Sequence, residues 1–477
     1  MNFINLIKKI SEQNPEKTAI VFKNQKISYS KLLKKVQQLS NFLENSFSPN
    51  IVTLISENSI DFVICYLSIL NSGKIANLIS PELSQKNILL QVESANSDLI
   101  ICSKKFLKKI DRSKFNLPLL QLDLLQYDSQ QFEKINEKSK GAYLIYTSGT
   151  TSEPKGVCIT HDMINFTTKN IVKILKYTKN DIDFVPLPLF HSFGLGCLHT
   201  SLFVGSSLVL EENTNDLRNI LLQLKKYHVT TFAAIPSTLT KFLQFPKNDL
   251  ENYFSDLRLI ITNSTSIPKN TVLQFKNILK NGSLATYYGL TEASRSTFMI
   301  FEKNIKRETS VGKTPPGVEI KIHNQKSSHN NEGEIWVKGS NVIKNYWNGL
   351  HENNFVDGWF RTGDIGYLDN ENYLFLLGRK DDLINVGGEK VFPFEIEDVI
   401  KQIDGVADVV AFGIKHELFG QVIKTHIIKK KNFELDKSKI LSHCIKNLEK
   451  FKIPTKIEFV NYIPKTEYGK VKRFMLK

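Results

Sequence analysis

Arginine is scarce in this 477-residue chain, with eight against 55 lysines. Cysteine is sparse too. Its five positions (Cys65, Cys102, Cys158, Cys197, Cys444) are scattered, odd in number and without metal-ligand spacing. That pattern argues against a disulfide framework or a zinc module and fits buried, neutral thiols in a reducing cytoplasm. No long hydrophobic run is present. The most apolar region, residues 184–210, is interrupted by Pro186, Pro188, His191 and several glycines, which argues against a membrane span. The first 17 residues lack a secretory apolar core and read as a short amphipathic helix, so export is not expected and a cytoplasmic location is. Internal repeats and long low-complexity segments are absent. The formal charge of +15 invites a nucleic-acid or anionic-membrane reading. However, the excess is nearly all lysine, spread along the chain rather than gathered in a stripe with interleaved aromatics. Solvated surface charge is the better account, and no nucleic-acid partner is expected.

What is present is a soluble, globular composition, 41% hydrophobic and 23% charged, in a chain long enough for two or three packed units. Residues 27–79 alternate between helical and strand patterns, and the alternation recurs over 208–268, where SLVL, TTFAAI and LRLIIT read as strands between amphipathic helices. Such β–α alternation predicts an α/β fold: a large N-terminal domain of mixed, largely parallel sheets with packed helices. The character changes near Gly378. Beyond it, a helix, two strands, a helix and a strand make a small α+β piece, joined through the charged segment GRKDD. The expected division is 1–378, a hinge at 379–381, and a mobile C-terminal domain at 382–477.

Six segments carry chemistry. YTSGTTSEPKGV (146–157) follows an apolar strand and packs five serine and threonine hydroxyls, two glycines and a lysine into one turn. Backbone N–H groups, hydroxyl donors and a cation so close together suit a polyphosphate. Lys155 precedes Gly156 and no Gly-Lys-Ser/Thr opens a helix, so this is not a Walker loop. In TYYGLTEAS (286–294), Gly289 sits between an aromatic and a hydroxyl–acid pair, admitting a planar ring near the backbone, and Glu292 offers oxygen to a divalent cation beside Thr291. In GWFRTGDIGYLD (358–369), Asp364 at a glycine turn is able to accept bonds from both hydroxyls of a ribose, or to close an Asx-type turn. The remaining three are GRKDDLINVGGEKVFPFEIE (378–397), IPKTEYGKVKR (463–473) and PLPLFHSFGLG (186–196).

Taken together, these segments resemble the adenylate-forming (AMP-binding) enzyme superfamily of acyl-CoA synthetases, aryl-CoA ligases and adenylation domains, at nearly full length. The resemblance implies that Thr147, Ser148, Gly149, Thr150, Thr151 and Lys155 hold the phosphates of ATP. It implies that Tyr288, Gly289 and Thr291 contact adenine and phosphate, Glu292 holds Mg²⁺, Asp364 the ribose, and Arg379 the ribose or a phosphate. Asp381 would be the pivot between domains, and Gly387 and Gly388 would face the site in a second half-reaction. Lys470 would bridge the reacting carboxylate and the nucleotide, and His191 would cover the acyl site. The implied reaction is activation of a fatty or aryl acid to acyl-AMP, then transfer to a thiol, either CoA or a stand-alone phosphopantetheine carrier protein, within fatty-acid metabolism.

Departures from the family pattern bear on substrate. Amino-acid-activating relatives usually carry Asp where this chain has His191, which disfavours an α-amino acid. Ser152 stands where glycine is common, and TNSTSIP (262–268) replaces a glycine-rich stretch, so that Asn263, Ser264 and Thr265 would narrow the acyl pocket. Lys390 and Asn385 stand where arginine and lysine are frequent. Arg295, next to the Glu292 motif, is either the partner of a second carboxylate on the substrate or one half of a structural salt bridge, the latter being the favoured expectation.

Overall fold

The computed structural model describes residues 3–47, 50–125, 141–147, 154–212, 216–263, 267–302, 304, 306–323, 332–349, 352–431, 433–465 and 471–476. Two largely parallel sheets form the large domain, as the β–α alternation predicts. The first runs Thr297–Ile300, Ser283–Tyr288, Leu259–Thr262, Thr231–Ala234, Ile182–Val185, Ser207–Leu210, Thr18–Phe22, Gln25–Ser28, with antiparallel pairing only at its two ends. The second runs Leu119–Gln121, Leu99–Cys102, Ile51–Ile55, Ile75–Ile79, Gly141–Thr147, Lys155–Thr160, antiparallel only in its last pair. One apolar core takes side chains from both sheets, for instance Ile20 and Leu54, and from the helix Ile60–Asn71, which is buried nearly all round. Ser59 caps that helix by accepting from the backbone of Phe62, and Thr160 does the same for the helix His161–Leu175 through Met163.

A third sheet was not legible as such. Ser310–Gly312, Leu374–Arg379, Trp359–Leu368, Gly333–Gly339 and Val318–His323 pair antiparallel, with Phe355–Val356 added on Trp359–Leu368. The small C-terminal domain follows. Its sheet orders Glu389–Val391, Ile384–Val386, Gly420–Lys429 and Val406–His416, with Lys456–Phe459 parallel to Gly420–Lys429. It has its own core, in which Ile396 and Ile400 of the helix Pro393–Lys401 and Ile440 and Cys444 of the helix Lys437–Asn447 meet the sheet. No helix among the described residues is long and apolar enough to cross a membrane. All five cysteines are free, and burial pushes the Cys102 thiol up to about 12 and the Cys158 thiol up to about 11, so both stay neutral.

Two carboxylates at the start of Ile182–Val185 set the register of the first sheet. Asp181 accepts from Nε and Nη2 of Arg258, each at 2.7 Å, a bidentate pair tying this strand to Leu259–Thr262. Asp183 is fully buried and accepts from Thr231 Oγ1 at 2.7 Å and Ser201 Oγ at 3.3 Å. Burial raises its pKa to about 7, which the two hydroxyls only partly offset. The folded chain therefore holds this proton more tightly than the unfolded one. The stability it contributes is complete below the ordinary carboxyl value and is lost as pH rises towards about 7. Asp183→Asn should accordingly raise the thermal midpoint at pH 8, by a gain on the order of a few kcal/mol, and leave it unchanged near pH 4. Calorimetry of both proteins at the two pH values checks this, and an equal shift at both would contradict it.

Candidate active site

The phosphate-loop motif lies between two paired strands. Thr147 ends Gly141–Thr147, Lys155 begins Lys155–Thr160, and the two residues face each other in register. Ser148, Gly149, Thr150, Thr151 and Ser152 lie outside the described residues, as do Ser264 and Thr265. Gly156 packs so closely that a Cβ there would sit 2.9 Å from Cβ of Trp347, and its carbonyl accepts from the Trp347 backbone at 2.8 Å. The preceding residue, Tyr346, joins two motifs. Lys155 Nζ lies 5.8 Å above its ring, and its hydroxyl donates to Glu292 Oε1 at 3.0 Å. Burial first, then the Glu292 charge, raises the Tyr346 pKa, so the phenol stays a donor. Ile343 N adds a bond to the Glu292 carbonyl. Nothing in the sequence singles out Tyr346, which lies in no motif and works across 54 residues.

The Asp364 carboxylate is held from two sides. Tyr288 Oη donates to Oδ2 at 2.7 Å, and Arg379 Nη1 donates to Oδ1 at 2.9 Å and to the Thr362 carbonyl at 2.7 Å. The backbone N–H of Asp364 donates to Thr362 Oγ1. Tyr288 ends the parallel strand Ser283–Tyr288, whereas Asp364 and Arg379 are partners across two antiparallel strands. Burial raises the Tyr288 phenol well above its usual range, and the neighbouring Asp364 charge adds to this.

Between Tyr288 and Glu292 the chain turns back sharply. Leu290 and Ala293 exchange backbone bonds, and Ser296 N donates to the Tyr288 carbonyl at 2.7 Å. A Cβ at Gly289 would lie 2.4 Å from Arg295 N. Glycine is thus required by the loop's own return, a reason the sequence reading did not include. Asn341 ties the loop down through bonds to Ser294 O and Ser296 Oγ, both 3.0 Å. His191 stands at the residue just before the helix Ser192–Val204 without a side-chain capping bond, its ring 4.8 Å from that of Phe190, and burial pushes its pKa down to about 4, so it is neutral near pH 7. The buried Asn58, which sequence reasoning missed, holds the segment before it by donating to Leu187 O and accepting from Leu189 N. The Arg295 guanidinium donates to Ser294 Oγ and Ser192 O. The expected structural salt bridge is absent: among the described residues no carboxylate pairs with it.

In the small domain, Gly387 and Gly388 form a two-residue hairpin with φ of +61° and +99°, the geometry that favours glycine at both places. Asn385 Oδ1 accepts from Gly388 N at 2.9 Å, which gives this departure from the family pattern a local role, while Lys390 is exposed. Lys470 lies outside the described residues, but Lys465 and Val471 on either side of it pair across an antiparallel bridge. Arg473 then fastens the end of the chain, contacting Glu397 in Pro393–Lys401 and Asp382 just past Asp381. Lys465 pairs with Asp408.

The AMP-binding enzyme family pattern matches residues 7–347, and that of the AMP-binding enzyme C-terminal domain matches residues 395–470. The chain belongs to the AMP-binding enzyme family. Among curated relatives in this family, the oxalate–CoA ligase of Arabidopsis thaliana is 31% identical over 449 residues, spanning 89% of this chain and 87% of the relative. The 2-succinylbenzoate–CoA ligase of Listeria monocytogenes is 29% identical, spanning 99% and 98%. Two solved AMP-binding enzymes share the fold. The o-succinylbenzoate CoA synthetase of Bacillus subtilis, in complex with its acyl-adenylate intermediate, superposes with a TM-score of 0.88 at 26% identity, covering 99% of this chain and 98% of that one. ATP-bound MatB from Rhodopseudomonas palustris gives 0.90 at 25% identity, covering 100% and 98%.

The ion pair of Arg473 with Glu397 is largely buried, and Glu397 also accepts from Ala411 N at 2.9 Å. Removing the cation leaves a buried carboxylate, at a cost of about 3 kcal/mol. Arg473→Gln should lower the thermal midpoint of the small domain, and adding Glu397→Gln should recover part of the loss because no charge is then left unpaired. Additive losses in calorimetry would show the pair to be uncoupled.

Proposed function

We propose that this chain is an AMP-forming acid–CoA ligase that activates a carboxylic acid with ATP and passes the acyl group to CoA. The observation that carries this reading is convergence. Motifs far apart in sequence meet in two clusters, Lys155–Tyr346–Glu292 and Tyr288–Asp364–Arg379. Groups suited to phosphate, metal and sugar would thereby gather near the His191 segment, which Arg295 beside the Glu292 motif reaches through Ser192 O. CoA is preferred over a carrier protein as acceptor because the relatives above are named for CoA.

In the first half-reaction the acid's carboxylate oxygen attacks the α-phosphorus of ATP, the bond to the bridging oxygen breaks, and pyrophosphate leaves. Thr147 to Lys155 would bind the outer phosphates, Tyr288 and Gly289 the adenine side, and Asp364 with Arg379 the ribose. The Glu292 carboxylate, with one oxygen fixed by Tyr346 and the Thr291 hydroxyl close in sequence, is a hard oxygen donor set that fits Mg²⁺. When bound there, the ion would neutralise phosphate charge. Lys470 would stabilise the charge shared between carboxylate and phosphate. In the second half-reaction the CoA thiolate attacks the acyl carbon and AMP departs. We place the domain boundary at 378/382 and the pivot at Asp381, so that rotation would withdraw Lys470 and present Gly387 and Gly388. The substrate would be a fatty or aryl acid in a cytoplasmic setting, since His191 offers nothing to pair an α-ammonium.

Acid-dependent ATP–pyrophosphate exchange across fatty, aryl and α-amino acids tests this. Exchange with fatty or aryl acids and none with amino acids is expected. Robust exchange with an α-amino acid above its deaminated analogue would overturn the substrate class.

Lys470→Ala should abolish exchange while leaving thioester formation from synthetic acyl-AMP largely intact. Comparing both half-reactions in single-turnover assays checks this, and equal loss in the two would remove the two-conformation assignment.

A further inference from the structure

Of the eight arginines, Arg112 and Arg218 are exposed. Five more are paired with carboxylates: Arg258 with Asp181, Arg307 with Asp369 and Glu371, Arg361 with Glu334, Arg379 with Asp364, and Arg473 with Glu397. Arg295 alone is buried, at 6% exposure, with no carboxylate partner among the described residues. Among the described residues its Nη1 and Nη2 reach only a hydroxyl and a carbonyl, and its Nε has no hydrogen-bond partner. Burying an uncompensated charge is costly unless an anion joins it.

The surroundings are shaped around this side chain. Arg295 adopts a left-handed backbone, φ +58°, which a residue of its size rarely does. A Cβ at Gly196 would sit 1.7 Å from Nη2, so only glycine leaves room for the guanidinium. The guanidinium lies 5.1 Å over the Tyr287 ring. It lines an enclosed cavity with Ser192, His199, Thr291 and Ser294, which bracket it between the His191 segment and the Glu292 motif. That space, about 10 Å³, holds one water-sized atom as it stands, so a carboxylate enters it only if the neighbouring side chains move aside. Among the described residues, no neighbour supplies the missing charge. Burial pushes His199 down to about 3, with Arg295 adding to the effect, and pushes the Tyr143 phenol up to about 12.

We propose that Arg295 binds a second carboxylate on the acid substrate, so that the enzyme activates a dicarboxylic acid through the carboxylate remote from Arg295. This rests on the acid-activating function above and narrows it. The test is exchange with succinate, glutarate, adipate and 2-succinylbenzoate, each against its mono-amide at the carboxylate that would meet Arg295, which leaves the reacting carboxylate free. For at least one pair, kcat/KM should favour the diacid by on the order of 100-fold, the scale of a buried charge-assisted pair. Arg295→Gln should collapse that ratio to within a few-fold, and Arg295→Lys should restore part of it. Thermal midpoints establish that each variant folds. A wild type that prefers mono-acids, or an Arg295→Gln that lowers both members of a pair equally, overturns the assignment and leaves acid activation standing. If no acid supports exchange, the acid-activating reading falls. Calorimetric binding of the same diacids then decides Arg295 by itself: binding lost in Arg295→Gln supports the site, and no binding to the wild type refutes it.

Discussion

The carboxylate of Asp364 is where three parts of the chain are fastened together. Tyr288 reaches it from the last parallel strand of the eight-stranded sheet, Asp364 itself belongs to the antiparallel sheet, and Arg379 stands at the entrance to the small domain. A carboxylate this buried must be compensated, and its compensation here comes from groups on different layers. Arg379 meets both Asp364 and the Thr362 carbonyl, which fixes the strand end from which the proposed hinge would depart. A lysine, with a point charge on a flexible stem, would not hold that geometry. The site follows from this fastening. The strands Gly141–Thr147, Ile182–Val185, Leu259–Thr262 and Ser283–Tyr288 lead directly into the YTSGTTSEPKGV motif, the His191 segment, Asn263 and the Glu292 loop, so these motifs follow the carboxyl ends of parallel strands, where open α/β sheets bind ligands.

Much of this was legible because it is local. The helix Ile60–Asn71 is visible as a continuous apolar stretch ended by glycine, and its Ser59 cap lies directly before it. The motif loops are contiguous and can be read in a line. The antiparallel sheet was harder. Val318–His323, VEIKIH, does alternate apolar and polar residues as a half-buried strand should, but nothing local shows which distant strand it pairs with. Tyr346, Asn58 and Asn341 were invisible for another reason. Each is an ordinary polar residue whose meaning lies in a partner 45 to 131 residues away. Arg295 shows the same limit, because an arginine beside an acidic motif suggests a salt bridge, and only the tertiary arrangement shows that none of the described carboxylates reaches it.

The departures from the family pattern sort by what surrounds them. Asn385 is accounted for by the hairpin it caps, since its side-chain oxygen takes the Gly388 N–H, a bond that a lysine cannot accept. Lys390 is exposed and meets no such demand. The buried polar residues behave differently from the surface. Burial leaves the thiols and the His191 and His199 rings uncharged near pH 7, so the interior near the site keeps few charges. Those that remain each face a named group or an expected anion.

The scarcity of arginine then acquires a structural sense. Fifty-five lysines give the surface its diffuse positive charge, which tolerates any geometry. Half of the arginines occupy places where a planar fork makes two or more directed bonds at once: Arg258 across two parallel strands, Arg307 between Asp369 and Glu371, Arg379 between Asp364 and the Thr362 carbonyl, and Arg473 between Glu397 and Asp382. Two of these bracket the moving part of the proposed reaction. Arg379 fastens the strand before the pivot, and Arg473 joins Asp382, just after the pivot, to the helix Pro393–Lys401. A rotation about Asp381 would therefore turn two internally braced bodies and spare the ion pairs within each. The freedom would be confined to a few backbone dihedrals, and the segment around Arg473 would turn together with the helix Pro393–Lys401 that it is tied to.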